Sequence, residues 1–115
     1  MNQRLKAQIR LQLFRCAALG QFPTYEQFYR RVAGKKMGQF PYKEHFDAIA
    51  KEERKLGYPD VTFLVHRSDP KCSYPSQIDF KSAKARPSPA QLASLRKGAD
   101  KLIKLYCPPG TANPY

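Results

Sequence analysis

Acidic residues are scarce in this chain of 115 residues: 9 Asp and Glu stand against 21 Lys and Arg, a formal net charge of +12. So large an excess of one sign points to a polyanionic partner, and nucleic acid is the usual one. No apolar run reaches the roughly 18 residues that a membrane-spanning helix needs. No helical stretch pairs a basic face with a Trp-, Phe- and Leu-rich one, so binding to a membrane surface is not expected either. No charged segment leads into an apolar stretch and a small-residue cleavage site, so no secretory signal is read. Cysteine is sparse: Cys16, Cys72 and Cys107 are odd in number, far apart, and form no C-x-x-C pair. That argues against a zinc site and for free thiols in a reducing cytoplasm. No Ser-His-Asp set and no Gly-rich phosphate loop is present.

The charge is unevenly spread. Residues 1 to 43 carry nine Lys or Arg, Lys35 and Lys36 among them, and one acid, Glu26. Residues 81 to 104 carry seven, including Lys84, Arg86, Arg96 and Lys97, and one acid, Asp100. Most acids fall between Glu44 and Asp60, followed by Asp69 and Asp79. An acidic centre between two basic arms suits a metal site flanked by phosphate-binding surfaces. Lys35, Lys36, Lys84, Arg86, Arg96 and Lys97 are the candidate nucleic-acid contacts.

Periodicity predicts three helices before any strand. Leu5, Ile9, Leu13 and Cys16-Ala17 recur at helical steps, predicting a helix over 3–19 that Gly20 ends. Thr24 can cap a second helix, from Tyr25 to about Ala33, with Tyr25, Phe28, Tyr29 and Val32 inward. A third runs from about Tyr42 to Lys55, with Phe46, Ile49 and Ala50 inward, and Gly57 ends it. The apolar run in Val61–His66 predicts a central strand buried on both faces. The turn-forming residues 67–75 then read as a hairpin loop, and 77–80 as the partner strand. Ser88, with Pro89 at the first position, opens a further helix that Gly98 is expected to end. Residues 101–107 fit helix or strand by local propensity. The chain reads as one domain: a helical part over 1–42, a core over 43–107 and an irregular tail over 108–115.

Two carboxylates and a lysine stand at the mouths of the two predicted strands. Asp60 precedes the first, and Asp79-Phe80-Lys81 closes the second, nineteen residues on. Carboxylates hold hard divalent cations through oxygen. A lysine can stabilise charge building on a phosphate or orient the attacking water. Asp79 lies between apolar Ile78 and Phe80, and an unpaired carboxylate there would be expensive to bury. A metal or Lys81, on the same strand face, would relieve that cost. The bland reading is solvated charges at strand ends. His45 and His66 are isolated and read as structural histidines.

Three short motifs follow in order: Gly57-Tyr58-Pro59-Asp60, Asp79-Phe80-Lys81 and Ser88-Pro89-Ala90-Gln91. Over residues 43 to 107 this order resembles the VRR-NUC branch of the PD-(D/E)XK nucleases. The resemblance implies an α/β fold: a small nuclease core of the hairpin 61–80, the helix 88–98 and a strand at 101–107, behind N-terminal helices. It implies Mg²⁺ or Mn²⁺ held by Asp60, Asp79 and the Phe80 backbone carbonyl, Lys81 as the catalytic lysine, and Gln91 close to the active site. The family usually adds an upstream helical Glu. Glu26 is the candidate here, while Glu44, Glu52 and Glu53 read as solvated partners of nearby Lys and Arg. The implied function is a metal-dependent DNA endonuclease, acting on branched or structured DNA. Stand-alone members of this kind are often phage-encoded, which implies the cytoplasm of a bacterium or an infected host cell. A homodimer would place two active sites on one substrate.

Two other readings compete. Three helices followed by a hairpin is also the order of a winged helix, a DNA-binding module without catalysis, with the third helix in the major groove. A degenerate nuclease fold could instead serve as an inhibitor or adaptor of another DNA enzyme.

Overall fold

A computed structural model of the chain describes residues 2–33, 43–69, 73–75 and 87–115. Among these residues the regular structure is helical: α1 (Gln3–Leu19), α2 (Tyr25–Ala33), α3 (Lys43–Lys55), a short 3₁₀ helix (Val61–Leu64) and α4 (Pro89–Tyr106). The described residues contain no strand, only an isolated parallel bridge between Thr24 and His66. No described helix is long and apolar enough to cross a membrane.

The first three helices lie where periodicity puts them, and their ends show why. Asn2 caps α1, its side chain accepting from the Leu5 N–H at 3.0 Å. Gly20 ends it in the left-handed region, at φ 67°. There the Gly20 and Gln21 N–H groups return to the carbonyls of Ala17 and Cys16 at 3.0 and 2.9 Å. Gly57, at φ 81°, closes α3 in the same way, with Gly57 and Tyr58 bonded back to Arg54 and Glu53. Only glycine enters that backbone region at no steric cost, so both stops are written in single residues. Thr24 and Gln27 cap α2 reciprocally: Thr24 Oγ1 accepts from the Gln27 N–H at 3.3 Å, and Gln27 Oε1 accepts from the Thr24 N–H at 3.0 Å. The buried faces are Ile9, Leu13, Cys16 and Ala17 on α1, Tyr25, Phe28 and Tyr29 on α2, and Phe46, Ile49 and Ala50 on α3. Phe46 is the hub between α2 and α3, with ring centroids 5.6–6.2 Å from Tyr25, Phe28 and Tyr29.

Among the described residues the α/β nuclease core is not formed. The predicted strand Val61–His66 is a 3₁₀ turn over its first four residues, and only Val65 and His66 are extended. Val61 and Leu64 eclipse on one face of that turn, and Val61, Thr62, Leu64 and Val65 are all buried where α1, α3 and α4 converge. A short apolar run without alternation is equally a buried helical turn or a strand, and packing from three sides selects the turn. The second correction is at the far end. Residues 101–106 continue α4, so no strand extends a sheet there. Leu95, Ala99 and Leu102 share one buried helical face, half-buried Tyr106 continues it, and Gly98 does not stop the helix. Gly98 is instead a contact residue: a Cβ at that position would lie 2.8 Å from the Phe63 ring. The winged-helix alternative needs the same first strand and meets the same obstacle. Its partner strand over 77–80 lies outside the described residues.

The tail is irregular, as expected, but pinned. Asn113 Nδ2 donates to the Arg96 carbonyl at 3.0 Å and to Asp100 Oδ1 at 2.8 Å. The Tyr115 hydroxyl donates to the Phe63 carbonyl, and its ring lies against Phe22, His66 and Tyr74.

Candidate functional site

Asp60 is placed by the end of α3. The Gly57 turn redirects the chain, and Asp60 becomes the N-cap of the 3₁₀ helix. Its Oδ1 accepts from the Thr62 N–H at 2.9 Å and from the Thr62 hydroxyl. The carboxylate therefore satisfies backbone at a buried turn. Burial pushes its pKa up, opposed by the two Thr62 hydrogen bonds and by Arg54, while Asp47 pushes the same way as burial. Asp47, Ala50 and Arg54 fall on one face of α3. With Asp60 and Phe63 they line a pocket of about 250 Å³.

The ligand set implied by the resemblance is not assembled among the described residues. Asp79, the Phe80 carbonyl and Lys81 lie outside them, as do Lys35, Lys36, Lys84 and Arg86. Glu26 does not line the pocket. It sits in the first turn of α2 and pairs with Arg30, one helical turn on, at 3.0 Å. No described group of three or more His, Cys, Asp and Glu could hold a metal. The pocket offers two carboxylates, one bonded twice to Thr62, alongside the Arg54 guanidinium.

Gln91 caps α4. It is the third residue of α4, and its Oε1 accepts from the Ser88 N–H at 2.8 Å while its own N–H donates to Ser88 Oγ at 3.2 Å. Ser-Pro-Ala-Gln is thus a capping box, a pattern that satisfies two orphan donors at a helix start. Arg96 donates from Nε to the Tyr115 carbonyl at 2.7 Å, so it ties down the tail. Lys97 is exposed. His66 is structural, with Nδ1 2.8 Å from the Arg67 carbonyl and Nε2 3.0 Å from the Phe22 carbonyl.

Glu53 departs from the solvated role expected of it, and Glu52 finds its partners on α1. Glu53 is buried at 1% exposure and pairs with Arg10 of α1. Glu52 pairs with Lys6 and, at 3.2 Å, with Arg10. Sequence reasoning missed this because the partners are more than forty residues away. Asp47 was missed as well, although helical spacing alone puts it on the face of Arg54.

The capping role of Asp60 has a pH signature. Its folded-state pKa is raised above the unfolded value. Below the ordinary Asp range both states are protonated and the group contributes no pH dependence. As pH rises through that range the unfolded chain ionises first, so the folded state loses relative stability until its own pKa is passed. Asp60→Asn keeps an acceptor for Thr62 without the charge. It should gain on wild type as pH rises from the ordinary Asp range, about 4, toward the raised folded-state value. Asp60→Ala should lose the cap, about 1 kcal/mol, across that range. Urea denaturation at several pH values measures both. If Asp60→Asn loses ground as pH rises, the ionised carboxylate is net stabilising and the desolvation argument fails.

Comparison of the chain with protein-family models, with curated proteins and with solved structures yields no significant match.

Proposed function

We propose that this domain is a nucleic-acid-binding module, held together by its acids and presenting its cations. One observation carries the reading: Glu26, Glu52, Glu53, Asp60 and Asp100 each have a partner within the chain, while exposed lysines stand outside those pairs. Glu52 and Glu53 are spent on Lys6 and Arg10 within the α1–α3 contact, and Glu26 on Arg30. Asp60 caps a buried turn, and Asp100 accepts from the tail. Among the described residues, Lys97, Lys101 and Lys104 of α4 stand outside these pairs and are exposed. A fixed positive surface of this kind attracts phosphate and gains from counterion release.

The nuclease expectation rests on Asp79 and Lys81 and on an α/β core that helices replace. Binding needs neither. The test is a salt titration with labelled duplex and single strand, carried out in EDTA. Three or more phosphate contacts predict a log K against log salt slope of about −3 or steeper, roughly a fifty-fold or larger loss between 50 and 200 mM. Binding should persist in EDTA. No detectable complex with either strand form at low salt would overturn the reading. A complex whose affinity ignores salt would also count against it.

A further inference from the structure

Resting on that reading, we infer that the outer face of α4 is the phosphate-binding surface and that Lys97, Lys101 and Lys104 track the backbone of a duplex. The three lysines stand at steps of four and three residues, so they form one line along the helix. Leu95, Ala99 and Leu102 occupy the opposite side and are fully or almost fully buried. The row therefore points directly away from the core, and all three lysines are exposed.

What flanks the row narrows the surface further. On one side the tail covers the helix: Asn113 bonds to the Arg96 carbonyl and Asp100, and Arg96 itself holds Tyr115. The acid nearest the row is thus engaged by the tail, and Arg96 is withdrawn from the phosphate surface. Toward the start of α4 the outer residues are Ala90, Ala93 and Ser94, all exposed and short. Among the described residues these short side chains leave the lysines open to a polyanion on that side.

The geometry favours a duplex. Seven residues of helix separate the first lysine from the last, about 10.5 Å. Neighbouring phosphates of one duplex strand lie farther apart than their rise of about 3.4 Å along the axis, and the long lysine side chains let a row of this length reach two or three of them. A rigid line of charges suits a backbone of fixed repeat. Single-strand binders add aromatic platforms on which bases stack. The outer face of α4 has none, and Tyr106 turns inward against Phe14, with ring centroids 5.2 Å apart. Contacts restricted to phosphate carry no direct sequence information, so affinity should be nearly independent of base sequence.

The test compares two variants of the full chain with equal loss of charge. Lys97→Gln/Lys101→Gln/Lys104→Gln removes the row. Arg4→Gln/Arg15→Gln/Lys51→Gln removes three exposed cations elsewhere. Fluorescence anisotropy with a labelled duplex DNA, a duplex RNA and the matching single strand reads affinity against salt. The α4 variant should bind both duplexes at least about thirty-fold more weakly, with the salt slope shallower by about 2.7. The control should change less than threefold. Replacing the row with arginines should retain binding, and acetylation of the three lysines should be slowed in the complex. Wild type should prefer either duplex to the single strand.

Equal losses in both variants, or no loss in either, would overturn the α4 row while leaving nucleic-acid binding in place. A single strand bound as tightly as the duplexes would overturn the duplex assignment. A wild-type chain that binds none of the three would remove both the reading and the row. Circular dichroism establishes that each variant is folded before its affinity is interpreted.

Discussion

Arg10→Ala should destabilise the domain by about 3–5 kcal/mol, the cost of leaving a buried charge without its partner. Arg10 reaches from α1 to Glu53 in the last part of α3, and Glu53 is only 1% exposed. Its other guanidinium nitrogen reaches Glu52 at 3.2 Å, and its head lies 5.6 Å from the Phe14 ring centroid. Removing the arginine strands the Glu53 carboxylate between two helices. The neighbouring pair behaves differently. Glu52 is 43% exposed at its side chain, so water can replace Lys6 there. Lys6→Ala should cost about 1 kcal/mol or less. Arg10→Met combined with Glu53→Leu should recover much of the loss, because well-packed apolar residues often replace a buried ion pair without penalty. Urea denaturation with an unchanged m value measures all three. If Arg10→Ala costs no more than Lys6→Ala, the Glu53 carboxylate is not dependent on this partner.

Gly98→Val should cost about 2–3 kcal/mol, through overpacking against the Phe63 ring. The ideal Cβ meets Phe63 Cε2 at 2.8 Å and Cδ2 at 3.2 Å, before the branched methyl groups are added. Phe63 belongs to the 3₁₀ turn and its backbone carbonyl accepts from the Tyr115 hydroxyl, so the turn has little freedom to retreat. The diagnostic is a change of sign. In the wild-type background Gly98→Ala should be destabilising or neutral, although alanine is the better helix former. With Phe63→Ala already present, the same substitution should stabilise by about 1 kcal/mol, the ordinary helix-interior gain over glycine. A double-mutant cycle isolates that coupling. Equal effects of Gly98→Ala in both backgrounds would show that the ring does not require the glycine.

Much of the candidate site depended on contacts that no local pattern records. The motif Ser88-Pro89-Ala90-Gln91 was legible as a helix start, and it is one. Its catalytic meaning came from the resemblance, whereas Gln91 forms a capping bond to its own neighbour. Asp60 was legible as a residue at a turn before an apolar run. That the run would coil rather than extend was not, because Val61–Val65 is apolar without alternation and fits either state. Gly98 read as a stop because glycine disfavours helix by about 1 kcal/mol. The buried faces on either side of it, Leu95 and Ala99–Leu102, outweigh that.

What the sequence by itself determined is therefore local. The extents of α1 and the caps and stops at Gly20, Thr24, Gly57 and Ser88 follow from hydrogen-bonding groups within a few residues and from the one side chain that tolerates a left-handed backbone. The net charge, and with it the class of partner proposed, is likewise a property of composition. Only the tertiary structure decided the state of 61–66 and of 101–107, the burial of Glu53, and which cations remain outside. Each of these turns on residues brought together from distant parts of the chain: α1 with α3 through Arg10 and Glu53, the 3₁₀ turn with α4 through Phe63 and Gly98, and the tail with α4 through Asn113. Their free energies arise from desolvation and close packing, which depend on what surrounds a group and not on its neighbours in sequence.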